Sequence, residues 1–317
     1  MSLSPEQLKK HCKAILQSPR IKNKIVVLCE GDIRETQGRE SPQAYKAMEQ
    51  MPDANFYKAC VPTWWRQKLP EFFNCGDRKD VLDTYFTLPI LHEQETKDTK
   101  NSYLDPDRLF AMIDLDLQLQ KIENEKFTDT EAIFLDLYEK SQVKEQNALR
   151  EHRIWITGLI HKEAYFLTPE LQPIFENCCN EPIYQGNPAV LASIYLDMAD
   201  AICSDLDLQN NLQRAFDRIS YCSGLDCTEV KNFQASWKER FQNAVDETHR
   251  NQSIAVLLTI KKAKDYWHQI KPSGDFSRED WVFREQLSLE IGRFYSQQNS
   301  DVKSHIPFFF KTLYEFV

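Results

Sequence analysis

The chain has 317 residues, 42% of them hydrophobic and 27% charged, with a formal net charge of −9. That length suits one large domain or two moderate ones with a sizeable core, and the scarcity of glycine (8 residues) argues against a loop-rich all-β fold. An acidic protein repels nucleic acid at long range, so any nucleic-acid binding needs a local basic patch or bridging metal ions. The nine cysteines are scattered without a paired framework, Met1 to Gln17 is polar, and the longest notable apolar run, Ile254 to Ile260, is far too short to span a membrane. A cytoplasmic protein with reduced thiols and no membrane segment is expected.

In chain order, Lys24 to Cys29 (KIVVLC) is a β-branched run that predicts a strand buried on both faces, ending at Glu30-Gly31-Asp32. Ser41-Pro42 reads as the N-cap and first position of a helix to about Met51. A second strand is predicted over Asn55 to Val61 and a short helix over Trp64 to Phe73, broken near Pro70. Residues 76–107 are charged and read as an insertion, with Glu93 to Ser102 an exposed loop. Leu109 to Ile113 (LFAMI) predicts another buried strand, ending at Asp114-Leu115-Asp116. Thr130 to Lys140 is expected to be helical, and Arg153 to Thr157 (RIWIT) is a fourth strand, followed by Gly158 and the segment IHKEAYFL.

This order is β-α-β-α-(insertion)-β-α-β, which predicts an α/β fold with a mainly parallel sheet. In such sheets the functional crevice lies beyond the carboxyl ends of the strands. After about residue 168 the pattern becomes helical. Asn187-Pro188 starts a helix with Val190, Leu191, Ile194, Met198 and Ile202 on one face, and amphipathic helices follow near 206–220, 228–248, 252–269 and 278–297. The expected organisation is an α/β domain over 1–168 and a helical subdomain over 169–317.

Three acidic clusters stand out: Glu30 with Asp32, Asp114 with Asp116, and Glu163. In a D-x-D pair at a strand end, the period of two turns both carboxylates to one side. They repel each other there unless a cation lies between them. Hard oxygen ligands with open water positions suit Mg²⁺ or Mn²⁺. A third carboxylate from another strand end completes the site or moves a proton.

KIVVLCEGD followed by LFAMIDLD resembles the Toprim domain of topoisomerases, primases and OLD- or RloB-type nucleases. That family carries an acid-Gly pair after its first strand and D-x-D after a later one. IHKEAYFL is similar to a further acidic, aromatic-containing stretch of the OLD-like nucleases, with Glu163 and Tyr165 at its Glu and Tyr. The resemblance covers residues 22–168. It implies Glu30 as general acid/base or metal ligand, Asp114 and Asp116 as Mg²⁺ ligands, and Glu163 as a further ligand. Arg34 stands where many relatives have an acid, and the chain contains no phosphate-binding G-x-x-x-x-G-K-[ST] loop.

Arg34, His161 and Lys162 are candidate substrate contacts, since a nuclease needs cations against phosphate. Arg39 and Arg153 are further possible cations at that edge. Cys178, Cys179, Cys222 and Cys227 fit zinc spacing poorly and read as buried thiols. Trp64 and Trp65 invite a base-stacking role, but core packing or a partner interface is the expected one. Lys261, Lys262 and Lys264 form a modest basic patch. Two functions are expected in competition. One is Mg²⁺- or Mn²⁺-dependent phosphodiester cleavage of nucleic acid. The other is a non-catalytic module that binds a protein partner through its helical half.

Overall fold

The computed structural model describes residues 2–33, 52–98, 102–123, 126–139, 152–274, 276–301 and 303–317. The chain divides into two compact units that are discontinuous in sequence. One comprises residues 1–113, 122–156 and 289–317; the other comprises 114–121 and 157–288. The boundary expected near residue 168 falls inside the second unit.

The first unit is built on four parallel strands, β1 (Val26–Cys29), β2 (Glu71–Asn74), β3 (Leu109–Ile113) and β4 (Ile154–Ile156), in the spatial order β2-β1-β3-β4. β1 is central, with Cys29 opposite Asn74 on one side and opposite Met112 on the other. Every residue of β1, β3 and β4 is buried. That explains the continuous apolar runs, because a parallel sheet covered on both faces leaves no polar face to alternate with. Helices α1 (Pro5–Leu16) and α3 (Arg78–Asp98) pack on each other, and α3 also lies against β1 and β3. The helix His305–Tyr314 contributes Phe308 and Phe309 to the ring of Trp155 on β4, and Phe310 to Phe72 on β2. Trp155, Phe309 and Phe310 are fully buried, each side chain worth about 1.5–3 kcal/mol of transfer free energy.

Four sequence expectations are corrected here. The strand predicted over 55–61 is the helix α2 (Pro52–Ala59). Its buried Ala54, Phe56, Tyr57 and Cys60 recur at spacings of three and four, a helical period that the aromatic content masked. The helix predicted over 64–73 is instead a loop leading into β2. The 76–107 insertion is mostly α3, begun by reciprocal bonds in which Asp77 and Asp80 each accept the other's backbone N–H. Glu93 to Asp98, expected in an exposed loop, belong to that helix. The helix expected over 41–51 lies outside the described residues.

The second unit is largely helical, with helices Leu191–Asp200, Leu206–Asn210, Leu212–Ile219, Val230–Gln242, Glu247–Ile260 and Lys264–His268. Asn187-Pro188, expected to start a helix, instead pairs in a small antiparallel sheet with Pro182–Tyr184, which also pairs with Lys271–Pro272. The unit's core includes Trp237, stacked on Phe241 and donating its indole N–H to the Ser253 carbonyl at 2.7 Å. No helix among the described residues is long and apolar enough to cross a membrane.

Candidate functional site

Glu30 directly follows β1, and Gly31 explains the acid-Gly pair. Gly31 has φ +149°, and a Cβ there would lie 2.3 Å from Asp53 Oδ2 and 2.6 Å from Asn74 Nδ2. Its amide and carbonyl exchange bonds of 2.9 and 2.8 Å with Gly76, which follows β2. Asn74 accepts the Ala54 N–H at 3.0 Å and donates to the Asp32 carbonyl at 3.3 Å. The turn that carries Glu30 is therefore fixed by backbone and amide bonds. Only a residue without a side chain fits at its second position.

Asp114 directly follows β3, the parallel neighbour of β1. In the second unit the loop Asp114–Leu117 is tied to the loop that follows β4. The Leu115 N–H donates to Thr157 Oγ1 at 2.9 Å, and the Asp116 N–H to the Ile160 carbonyl at 2.9 Å. Asp114 Oδ1 accepts the Lys162 N–H at 3.1 Å. Asp116 stands at φ +40°, unusual for a residue with a side chain, and its Oδ1 accepts the N–H of Leu117 at 2.6 Å. The extended alternation expected of D-x-D therefore stops at Asp116. Leu115 is still buried between two partly exposed carboxylates.

The loop after β4 is locked by Tyr165. Its hydroxyl accepts the N–H groups of Gly158 at 2.8 Å and Leu159 at 3.1 Å, all three residues being buried. Burial raises the Tyr165 phenol well above the ordinary tyrosine range. This hydroxyl is a fastening point for the loop.

Between these fixed points lie His161, Lys162 and Glu163. Glu163 Oε2 is 3.7 Å from His161 Nδ1, and its Oε1 is 3.8 Å from Lys162 Nζ. His161 Nδ1 is buried and makes no hydrogen bond. Burial pushes the Glu163 carboxyl up, but Lys162, His161, a backbone amide and Lys264 outweigh it and hold it below the usual carboxylate range. Burial lowers His161, with Lys262 and Lys264 assisting and Glu163 and Asp116 opposing, so the ring is neutral at pH 7.

Sequence reasoning undervalued Lys262, Lys264 and His268. Lys262 Nζ is 3.9 Å from Asp116 Oδ1 and bonds Asp207. His268 and Lys264 both lie within electrostatic reach of Glu163. The signal was the basic K-K-x-K directly after the apolar run 254–260. Lys261, by contrast, is buried against Asp205 and is structural. Arg34 and Arg39 lie outside the described residues. Arg153 belongs to the first unit, between the rings of Phe110 and Phe316 at 4.9 and 4.3 Å.

Among the described residues no group of three His, Cys, Asp or Glu side chains is arranged to hold a metal ion. A complete protein cage is a calcium or zinc habit. Mg²⁺ is commonly held by one or two carboxylates together with waters and substrate phosphate. Asp114 and Asp116, partly exposed on either side of buried Leu115, are the two acids that would serve in that second way, whereas Glu163 is already compensated by His161 and Lys162. None of the nine cysteines is in a disulfide. No protein-family model, curated protein or solved structure matches the chain.

Proposed function

We propose that this chain is a Toprim-like phosphodiesterase acting on nucleic acid, with Asp114 and Asp116 holding Mg²⁺ or Mn²⁺ together with a substrate phosphate. One observation carries the reading. The loop after β3 and the loop after β4 are bonded to each other, so that Asp114, Asp116, His161, Lys162, Glu163 and Lys262 share one polar cluster in the second unit. When bound, the divalent ion supplies polarisation of the phosphoryl oxygens.

The chain's own residues have separate tasks on this reading. Lys162 and Lys262 offset phosphate charge, which an acidic protein otherwise repels. Glu163, ionised and partly buried, orients His161 and Lys162. Neutral His161 accepts or relays a proton. Glu30, which the family resemblance implies as general acid/base, belongs to the first unit. Asp114→Asn is the sharpest probe, because the amide oxygen still accepts the Lys162 N–H while the negative charge is removed. Metal-dependent cleavage of DNA or RNA by the wild type, with at least a hundredfold loss in Asp114→Asn, supports the reading. Equal cleavage by both proteins overturns it.

A further inference from the structure

The protein carries 48 Asp and Glu in 317 residues, but the stretches 54–70 and 302–314 contain none. Both belong to the first unit, and they meet where Trp64 touches Tyr314, ring centroids 4.9 Å apart at 87°. Trp64 also lies nearly parallel to Trp65, at 9° with centroids 6.3 Å apart, and Trp65 in turn meets Tyr314 edge-on at 5.2 Å. Trp65 is buried and donates its indole N–H to the Gln67 carbonyl at 2.9 Å. Trp64 and Tyr314 remain 49% and 46% exposed. A half-exposed indole fixed by two neighbouring rings is a pre-organised stacking face.

The cations around it are not spent elsewhere. Arg66 and Lys68 are exposed in the same loop, and Lys311 is exposed one turn before Tyr314. None of the three pairs with an acid among the described residues. Lys58, by contrast, is drawn into a pair with Glu71 at 3.7 Å. The loop leads into β2, so this face lies at the edge of the sheet where the strands begin. Glu30 follows β1 at the opposite edge.

We infer that Trp64, Tyr314, Arg66, Lys68 and Lys311 form a binding face for single-stranded nucleic acid, with an unpaired base stacking on Trp64 and the cations following the phosphates. A protein partner of matching shape would exploit the exposed indole, but Arg66, Lys68 and Lys311, exposed around it and paired with no acid among the described residues, match a polyanion. Rigid aromatic rings alternating with Lys and Arg are the usual means of holding unpaired bases without sequence preference. The inference does not rest on the catalytic reading.

The test is the anisotropy of a labelled oligothymidylate of about 20 nucleotides, titrated with the full chain in low salt and EDTA, so that no cleavage is needed. Binding is expected, with quenching of tryptophan fluorescence. Trp64→Ala should weaken it about tenfold, while Trp64→Phe, which keeps a stacking ring and tests the same point should the alanine variant fold poorly, retains most of it. Replacing Arg66 and Lys68 together by Ala should reduce the slope of log affinity against log salt by about 1.4. Three results overturn the inference: no binding by wild type at tens of micromolar, unchanged affinity in Trp64→Ala and the double variant, or duplex DNA binding as tightly as the single strand.

Discussion

Replacing Tyr165 by Phe removes one oxygen and leaves the ring in place, so its effect can be worked from the bonds alone. The hydroxyl accepts two buried amides, those of Gly158 at 2.8 Å and Leu159 at 3.1 Å. Neither amide has another acceptor among the described residues, and each N–H left in an apolar place costs about 1–3 kcal/mol. The expected loss is therefore about 2–6 kcal/mol, a large share of the roughly 5–15 kcal/mol by which proteins are folded. Urea unfolding measures the total. Hydrogen exchange followed by mass spectrometry locates it, since protection should fall first in the segment around 158–165. The same segment carries His161 and Glu163, so any metal-dependent activity should fall with it. A change under about 0.5 kcal/mol with unaltered exchange would show that Tyr165 does not hold this loop, and the cluster would lose its anchor.

Two further outcomes are expected. Burial lowers His11 and His305 to about 4 and also lowers His161. The unfolded chain therefore takes up protons first, near pH 6.5, and stability is fully present above that pH and lost as pH falls toward 4, by at most about 3 kcal/mol for each of His11 and His305. Urea midpoints at neutral pH and near pH 5 check this, and His305→Gln should flatten the difference; a midpoint that does not move between those pH values would contradict it. Gly31→Ala should cost about 2–4 kcal/mol, from an unfavourable φ and from the displacement of Asp53 and Asn74. Gly186→Ala, at φ +83° with nothing within 4 Å of the new Cβ, isolates the backbone contribution and should shift thermal unfolding much less.

The strands that were legible in the sequence are those buried on both faces. KIVVLC, LFAMI and RIWIT each mark a strand because no polar residue interrupts the apolar run. β2 escaped because Glu71 and Asn74 bracket only Phe72-Phe73, while Asn55–Val61 carries strand-forming aromatics at helical spacing. Glu71 is tolerated in a strand because Lys24 and Lys58 pair with it, at 2.5 and 3.7 Å. That compensation comes from residues far away in the chain. The C-terminal helix was missed because Pro307 and the Phe308–Phe310 run obscure its period, and its place against the sheet is a tertiary fact. At the site, strand-end acids were visible as motifs. The partners that set their charge were not: Lys262 lies 146 positions beyond Asp116 (262 − 116), and only folding brings its ammonium within 3.9 Å.

The central claim, a divalent ion held by Asp114 and Asp116 for phosphodiester cleavage, is tested most directly by Mn²⁺ calorimetry on wild type and Asp114→Asn, with cleavage of linear, supercoiled and single-stranded substrates assayed on the same samples. The wild type should bind Mn²⁺ and cleave only when a divalent ion is present. Asp114→Asn should fold with an unchanged circular dichroism spectrum, bind Mn²⁺ at least tenfold more weakly and lose cleavage. A wild type that neither binds the ion nor cleaves any substrate would contradict the claim and leave the non-catalytic interaction module as the standing account.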